Sequence, residues 1–124
     1  MDSSALVKLV QVEAESGALR AELERWSQHV TSVVGEIELR RAGRRAGVSS
    51  EAIEAVLDRV GLIALDDPVR ELAAQAGTPL LRTLDAIHLA TALSLGLELG
   101  GFVCYDQRLT DDARSAGLPT ITPA

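Results

Sequence analysis

Hydrophobic residues recur along the chain in two patterns, one with helical spacing and one as short runs. The helical stretches begin after Ser, Thr or Asp and end near Gly, which are common flanking residues of helices. We predict helices in two pieces over residues 2–26 with a break near Ser16 and Gly17, and over residues 33–46, 50–60, 67–76, 84–95 and 108–116. The expected N-caps are Ser3 or Ser4, Ser32, Ser49 or Ser50, Asp67 and Thr83. Short strands are predicted at residues 29–31, 61–65, 101–105 and 119–122.

Strands that alternate with helices predict a mostly parallel sheet with helices on both faces. The apolar runs at residues 61–65 and 101–105 are typical of buried parallel strands. A chain of 124 residues is long enough for one compact core and too short for two. We therefore expect a single α/β domain over residues 1–124.

The net charge of −6 limits how this protein can bind nucleic acid. Proteins that attract nucleic acid by their overall field are usually basic, so any such contact here must be local or must involve metal ions at acidic groups. The single cysteine, Cys104, cannot form an internal disulfide, and no apolar run approaches the ~20 residues of a membrane span. The chain opens with an acidic residue rather than a signal peptide, and we expect a cytoplasmic protein that does not enter a membrane.

Two acidic residues stand where a parallel α/β fold gathers functional groups, and two more lie on predicted helices. Asp106 directly follows a predicted strand and Asp2 lies where a first strand would end, and functional groups collect at the carboxyl ends of such strands. Asp85 falls in the first turn of one predicted helix, and Glu36 or Glu38 lies in another. Neighbouring carboxylates repel and are stabilised by a shared proton or a bound cation, and Mg²⁺ prefers oxygen ligands. The spacing alone is compatible with a metal site, although Asp is also common at caps and turns.

Four sequence blocks resemble the motifs of PIN domains in toxins of the VapC family. They are "DSSALVKL" at residues 2–9, "TS" at 31–32 followed by "ELRRA" at 38–42, "LRTLDAIHLATAL" at 81–93, and "YDQRLTDDARSAGL" at 105–118. Their order and spacing match as well, so the resemblance covers essentially the whole chain. It implies an RNase-H-like, three-layer α/β/α sandwich, a metal-dependent endoribonuclease activity and a partner antitoxin that inhibits it.

Carried over by position, the acidic quartet is Asp2, Glu38, Asp85 and Asp106, which the resemblance makes catalytic residues and ligands of Mg²⁺ or Mn²⁺. Thr83 occupies the place of a small hydroxyl residue near the site. The implied reaction is hydrolysis of RNA, in which one ion lowers the pKa of a bound water and a second, if present, stabilises the leaving oxygen. The implied partners are RNA and a VapB-like antitoxin. We also expect a homodimer, with residues 4–26 as a surface for the second copy or for the antitoxin.

Only one of Glu36 and Glu38 can face this site, because two positions on a helix that are two residues apart point about 200° away from each other. Their neighbours do not distinguish them. The match to the family block, in which Leu39 and Ala42 follow the acid, selects Glu38. Glu36 is then a surface acid.

Other charged residues have both a structural and a functional interpretation. Asp111 and Asp112 fit the first turns of a helix better than an auxiliary metal role. For His88, packing is favoured over metal binding. The basic run at residues 40–47 is equally compatible with a solvated helix face and with phosphate contacts. Three more basic residues flank the motif acids and could guide RNA: Lys8, Arg82 and Arg108.

The first block departs from the family pattern. PIN domains of this type carry a few apolar residues before the first Asp, which form the central first strand, whereas only Met1 precedes Asp2 here. We expect this strand to be absent or reduced to one residue, with Asp2 on a fraying terminus. The true start lies upstream, the strand is dispensable, or the chain is a weakly active relative.

Two other functions stay open at this point. One is a catalytically weak or inactive PIN-like module that binds an antitoxin or RNA without cutting. The other is an aspartate-based phosphotransfer protein, which the residues disfavour. A haloacid-dehalogenase-like phosphatase needs a second Asp where Ser4 stands, and a receiver domain needs a Lys after a late strand, where none follows residues 101–105.

Overall fold

A computed structural model describes all of residues 1–124, which form seven α-helices and four short strands. The helices are α1 (Ser3–Val10), α2 (Ser16–Leu23), α3 (Val33–Ala46), α4 (Ser50–Leu57), α5 (Asp67–Ala73), α6 (Thr83–Ser94) and α7 (Gln107–Ser115). The strands are β1 (Val30–Ser32), β2 (Gly61–Ile63), β3 (Phe102–Val103) and β4 (Thr120–Ile121), and a 3₁₀ turn spans Gly96–Glu98. Helices and parallel strands alternate as predicted, which confirms the α/β sandwich.

Helix α3 has the boundaries that its sequence predicts. The Ser32 hydroxyl accepts a hydrogen bond from the Gly35 N–H at 3.0 Å and so satisfies one of the free donors of the first turn. Gly47 ends the helix with a φ of 71°, a left-handed conformation that residues with a Cβ rarely adopt. Both signals are local in sequence, which is why the prediction succeeded here.

Other boundaries were predicted less well. The N-cap prediction was wrong by one or two residues at three helices: Asp2 rather than Ser3 or Ser4 caps α1, Asp66 rather than Asp67 caps α5, and Arg82 rather than Thr83 precedes α6 without a side-chain cap. The break between the first two helices covers residues 11–15, whereas Ser16 and Gly17 already belong to α2. At α1 and α5, adjacent residues with similar capping ability compete, and the local sequence does not choose between them.

The strands form two parallel pairs. In the first, Thr31 of β1 lies opposite Leu62 of β2, and in the second, Val103 of β3 lies opposite Ile121 of β4. Strand β3 is buried, as its apolar run predicts. The same prediction was wrong for β2, whose Leu62 is 45% exposed because this strand lies at an edge of the sheet.

Met1 and Asp2 lie between the two pairs and hydrogen-bond to both. The Met1 amine donates to the Val30 carbonyl at 2.8 Å, and the Thr31 hydroxyl donates to the Met1 carbonyl at 2.8 Å. On the other side, the Asp2 N–H donates to the Val103 carbonyl at 3.1 Å. The expectation that Asp2 lies on a fraying terminus is therefore wrong, because these two residues are hydrogen-bonded to both strand pairs and Asp2 is only 2% exposed.

Three buried clusters hold the helices against the strands. The largest joins α6, β3 and α7 through the residues Leu89, Ala92, Phe102, Cys104, Leu109 and Ala113. A second joins α1, α3 and α4 through Leu6, Leu39 and Ile53. The core is built mainly from Ala, Leu and Val, as the scarcity of aromatic residues requires. None of the helices has the length and apolar character needed to cross a membrane.

Candidate active site

The four acids of the predicted quartet line one open cleft of 1160 Å³. Each comes from a different element: Asp2 caps α1, Glu38 lies in α3, Asp85 lies in the first turn of α6, and Asp106 caps α7 three residues after the end of β3. Two of the four are thus fixed by their roles as helix caps. The cleft gathers negative charge on one wall of the domain.

Asp2 is the most deeply buried of the four and is held by a set of donors. The Ser4 hydroxyl lies 2.7 and 2.8 Å from its two carboxylate oxygens, and the Ala5 N–H donates to Oδ1 at 3.2 Å. The Cys104 thiol donates to Oδ2 at 3.3 Å. Ser4 in turn accepts a hydrogen bond from the Tyr105 N–H at 2.9 Å, which ties the start of α1 to the end of β3.

The buried Cys104 belongs to the hydrophobic core, and its thiol also contacts Asp2. Burial, reinforced by the nearby Asp2 charge, raises the pKa of the Cys104 thiol to about 12. The thiol therefore stays protonated at neutral pH and can act as a hydrogen-bond donor to the carboxylate.

Glu38 is oriented by a buried histidine. His88 Nε2 lies 2.6 Å from Glu38 Oε1, and His88 Nδ1 lies 3.4 Å from the Ser32 hydroxyl. The ring is 3% exposed and sits against Gly35, where an added Cβ would lie 3.3 Å from the ring and 2.3 Å from Thr31 Oγ1. Glycine at this position leaves room for the Thr31 hydroxyl of β1 and lets the His88 ring pack against α3. The packing interpretation of His88 is correct in part, but the ring also contacts a site acid.

Arg82 bridges the two remaining acids. Its Nε donates to Asp85 Oδ2 at 2.7 Å, and its Nη2 lies 3.3 Å from Asp106 Oδ2. The other oxygen of Asp106 accepts the capping hydrogen bond of α7 from the Leu109 N–H at 2.9 Å. The hydrogen bond with Asp85, together with the charges of both acids, raises the pKa of Arg82. A cationic group thus already lies between two members of the quartet.

This donor set fits a hard divalent cation in its chemistry. All four side chains offer carboxylate oxygens, and Arg82 shows that the space between Asp85 and Asp106 accommodates positive charge. No three His, Cys, Asp or Glu residues lie close enough together to form a compact ligand set. Mg²⁺ needs only one or two protein carboxylates because it keeps several of its waters. The assignment of the quartet as metal ligands stays a prediction.

The remaining candidate residues from the sequence differ in whether they line the cleft. Glu36 pairs with Arg40 at 2.9 Å and does not line the cleft. Asp112, expected near the start of α7, instead accepts hydrogen bonds from the Thr78 N–H at 3.0 Å and from its hydroxyl, and so anchors the loop before α6. Thr83 does line the cleft.

Two positioning residues were not predicted from the sequence. Ser4 was considered only as a cap, and Ser32 only as the start of α3, although both contact groups of the site. Their partners lie 101 and 56 residues away in sequence, at Tyr105 and His88. The one available signal was their position inside the first two sequence blocks.

A family model described as PIN domain matches residues 1–114, which shows that the fold is that of this class. Ribonuclease VapC46 of Mycobacterium tuberculosis (strain ATCC 25618 / H37Rv) is 42% identical over 125 residues, which cover 100% of this chain and 96% of that protein. Ribonuclease VapC35 of the same strain is 42% identical over 134 residues, with 99% and 95% covered. Ribonuclease VapC47 of Mycobacterium tuberculosis (strain CDC 1551 / Oshkosh) is 40% identical over 129 residues, with 99% and 95% covered.

This chain therefore belongs to the PIN-domain family and, within it, to the VapC-type proteins. The resemblance seen in the four sequence blocks is confirmed.

Proposed function

We propose that this protein is a metal-dependent endoribonuclease toxin that cuts RNA and is inhibited by a VapB-like antitoxin. The observation that carries the proposal is that four carboxylates from four separate elements line one open cleft. Three relatives similar to the whole chain bear the name ribonuclease, which supports RNA as the substrate.

The side chains around the cleft divide into ligands and residues that hold them. Asp85 and Asp106, which face Arg82, and Glu38, whose carboxylate His88 holds, would bind Mg²⁺ or Mn²⁺, with Asp2 behind them. A bound cation supplies Lewis acidity at the phosphate and lowers the pKa of a coordinated water. The protein contributes the placement: Asp2 and Asp106 are fixed at helix N-termini, whose partial positive charges also offset the repulsion between the acids.

The quartet is tested by Asp85→Asn, which removes one ligand charge without changing shape. We expect Mg²⁺- or Mn²⁺-dependent cleavage of RNA to fall by more than about a hundredfold, beyond the 10–100-fold typical of residues that only support a ligand. Asp58→Asn is the matched control, because Asp58 is exposed, lies outside the cleft and forms no side-chain hydrogen bond or ion pair. Circular dichroism checks that both variants fold. Undiminished cleavage by Asp85→Asn would refute the assignment.

A PIN-like module that binds RNA or an antitoxin without cutting is the second candidate. The absence of a compact three-ligand set in the cleft is the observation that favours it. Binding of RNA with no cleavage at any Mg²⁺ or Mn²⁺ concentration would establish this alternative.

The proposed cellular setting follows from the same family. We place the protein in the cytoplasm as a homodimer paired with its antitoxin. Trp26, at the end of the surface predicted over residues 4–26, is 37% exposed and donates to Glu22 Oε1 at 3.0 Å, so part of its ring stays available to a partner. Light scattering on the purified chain measures the oligomeric state directly.

A further inference from the structure

Helix α3 carries a second functional feature beside Glu38. Arg41 and Arg45 lie three and seven residues after this acid, on the same face of the helix, and both line the cleft. Both are exposed, and neither forms an ion pair or a side-chain hydrogen bond. With a rise of 1.5 Å per residue, Arg45 lies roughly 10 Å along the helix axis from Glu38, with Arg41 between them.

The other basic residues near the cleft are already neutralised. Arg40 pairs with Glu36 and Glu54, Lys8 pairs with Glu13 and Glu15, and Arg82 pairs with Asp85 and Asp106. Arg41 and Arg45 are therefore the unpaired positive groups of the cleft. In a chain with a net charge of −6, they provide the local basic surface that binding of a polyanion requires.

A structural role does not account for this pair. Arg44 and Arg45 both lie in the last turn of α3, where a cation interacts favourably with the helix dipole, but Arg44 does not line the cleft. Arg41 lies before that turn and has no acidic partner. The dipole therefore explains neither Arg41 nor the shared direction of Arg41 and Arg45.

We propose that Arg41 and Arg45 form a phosphate track that holds the RNA backbone on one side of the bond to be cut; this rests on the proposed ribonuclease function. Residues four apart on a helix have Cβ atoms about 5–6 Å apart, which lets the two guanidinium groups contact neighbouring phosphates of one strand. A guanidinium binds phosphate through two parallel hydrogen bonds, and it keeps its charge at any physiological pH. The track binds the backbone and carries no base specificity.

The test compares two double variants with the same net charge. Arg41→Gln/Arg45→Gln removes the track, whereas Arg44→Gln/Arg59→Gln removes two exposed arginines outside the cleft. Each is combined with Asp85→Asn so that a short labelled single-stranded RNA stays intact, which a gel verifies. The dissociation constant is then measured by fluorescence anisotropy across a series of salt concentrations, after thermal melts have shown that both variants fold.

For the track variant, we expect the slope of log affinity against log salt to fall by about 1.4, or 0.7 for each lost phosphate contact. At ~0.1 M salt this corresponds to binding that is about 25-fold weaker. The control variant should keep a slope close to that of the parent chain. In the chain with Asp85 restored, loss of the track should raise KM and leave kcat nearly unchanged.

The outcomes separate this proposal from the ribonuclease itself. If the parent chain cuts RNA and both double variants show equal slopes, the phosphate track is refuted and the proposed ribonuclease activity is retained. A reduced slope in a chain that never cuts RNA would support the track and refute the nuclease. A polyglutamate peptide serves as a second probe. Binding of this peptide through Arg41 and Arg45, with no effect of these residues on RNA, would overturn the track in favour of an acidic protein partner.

Discussion

Replacing Ser4 by alanine tests whether the acidic site is held together by the start of α1. The Ser4 hydroxyl donates to the buried Asp2 carboxylate at 2.7 Å and accepts from the Tyr105 N–H at 2.9 Å. The Ser4→Ala change removes both contacts at once. Asp2 then loses a close donor, and the Tyr105 N–H is left without a partner in a partly buried place.

The structure gives an approximate size for this effect. A hydrogen bond to a charged group stabilises by roughly 1.5–3 kcal/mol, and an unsatisfied buried donor costs about 1–3 kcal/mol. Alanine favours the helix more than serine by a few tenths of a kcal/mol, and water replaces part of what is lost. We therefore expect the free energy of unfolding to fall by about 2–4 kcal/mol. At ~2.1 cal/mol/K per residue, this lowers the Tm by roughly 8–15 °C for a chain of this length.

The matched control is Ser3→Ala, one residue earlier in the same turn of α1. The Ser3 side chain forms no hydrogen bond, so its loss should change the free energy of unfolding by less than about 0.5 kcal/mol. Urea unfolding with a constant m-value measures both variants. Similar, small effects of the two changes would refute the argument that Ser4 fastens α1 to β3.

Two further predictions follow from the same geometry. Glu38→Gln should lower the kcat/KM of RNA cleavage strongly and Glu36→Gln hardly at all. The reason is that Glu38 lines the cleft and contacts His88, whereas Glu36 pairs with Arg40 outside the cleft. The reverse result would show that Glu36, and not Glu38, belongs to the site. Cys104 should react with iodoacetamide at pH 8 about a thousandfold more slowly than in the urea-unfolded chain, since a pKa of about 12 instead of 9 leaves a thousandfold less thiolate. The rate should rise with pH well beyond pH 9, and labelling at equal rates in the two states would contradict the buried contact with Asp2.

The sequence predicted those parts of the fold that depend on neighbouring residues. Ser32 and Gly47 define α3 because a cap and a left-handed glycine act within one turn of the helix. The parallel α/β class follows from the alternation of elements. The burial of β2 was predicted wrongly because an apolar run does not reveal whether its strand lies at the centre or at the edge of a sheet.

The sequence predicted which acids line the cleft, but not the contacts that hold their side chains in place. The matching sequence blocks predicted Asp2 and Glu38 as candidates. The groups that hydrogen-bond to these two residues, however, belong to segments that are distant in sequence. Asp2 depends on Cys104 and on the backbone of Val103, and Glu38 depends on His88. Such long-range hydrogen bonds leave no periodic pattern in a single sequence.

The use of Asp2 and Asp106 as helix caps links the chemistry of this domain to its folding. Each carboxylate satisfies backbone N–H groups at the start of α1 or α7, so a change at either position weakens a helix and alters the cleft together. Asparagine can keep the cap while removing the charge, whereas alanine removes both. Alanine variants at these two positions would therefore lose activity partly through unfolding. A copy of this protein in which the start of α1 or α7 has frayed therefore also loses the fixed position of one carboxylate in the cleft.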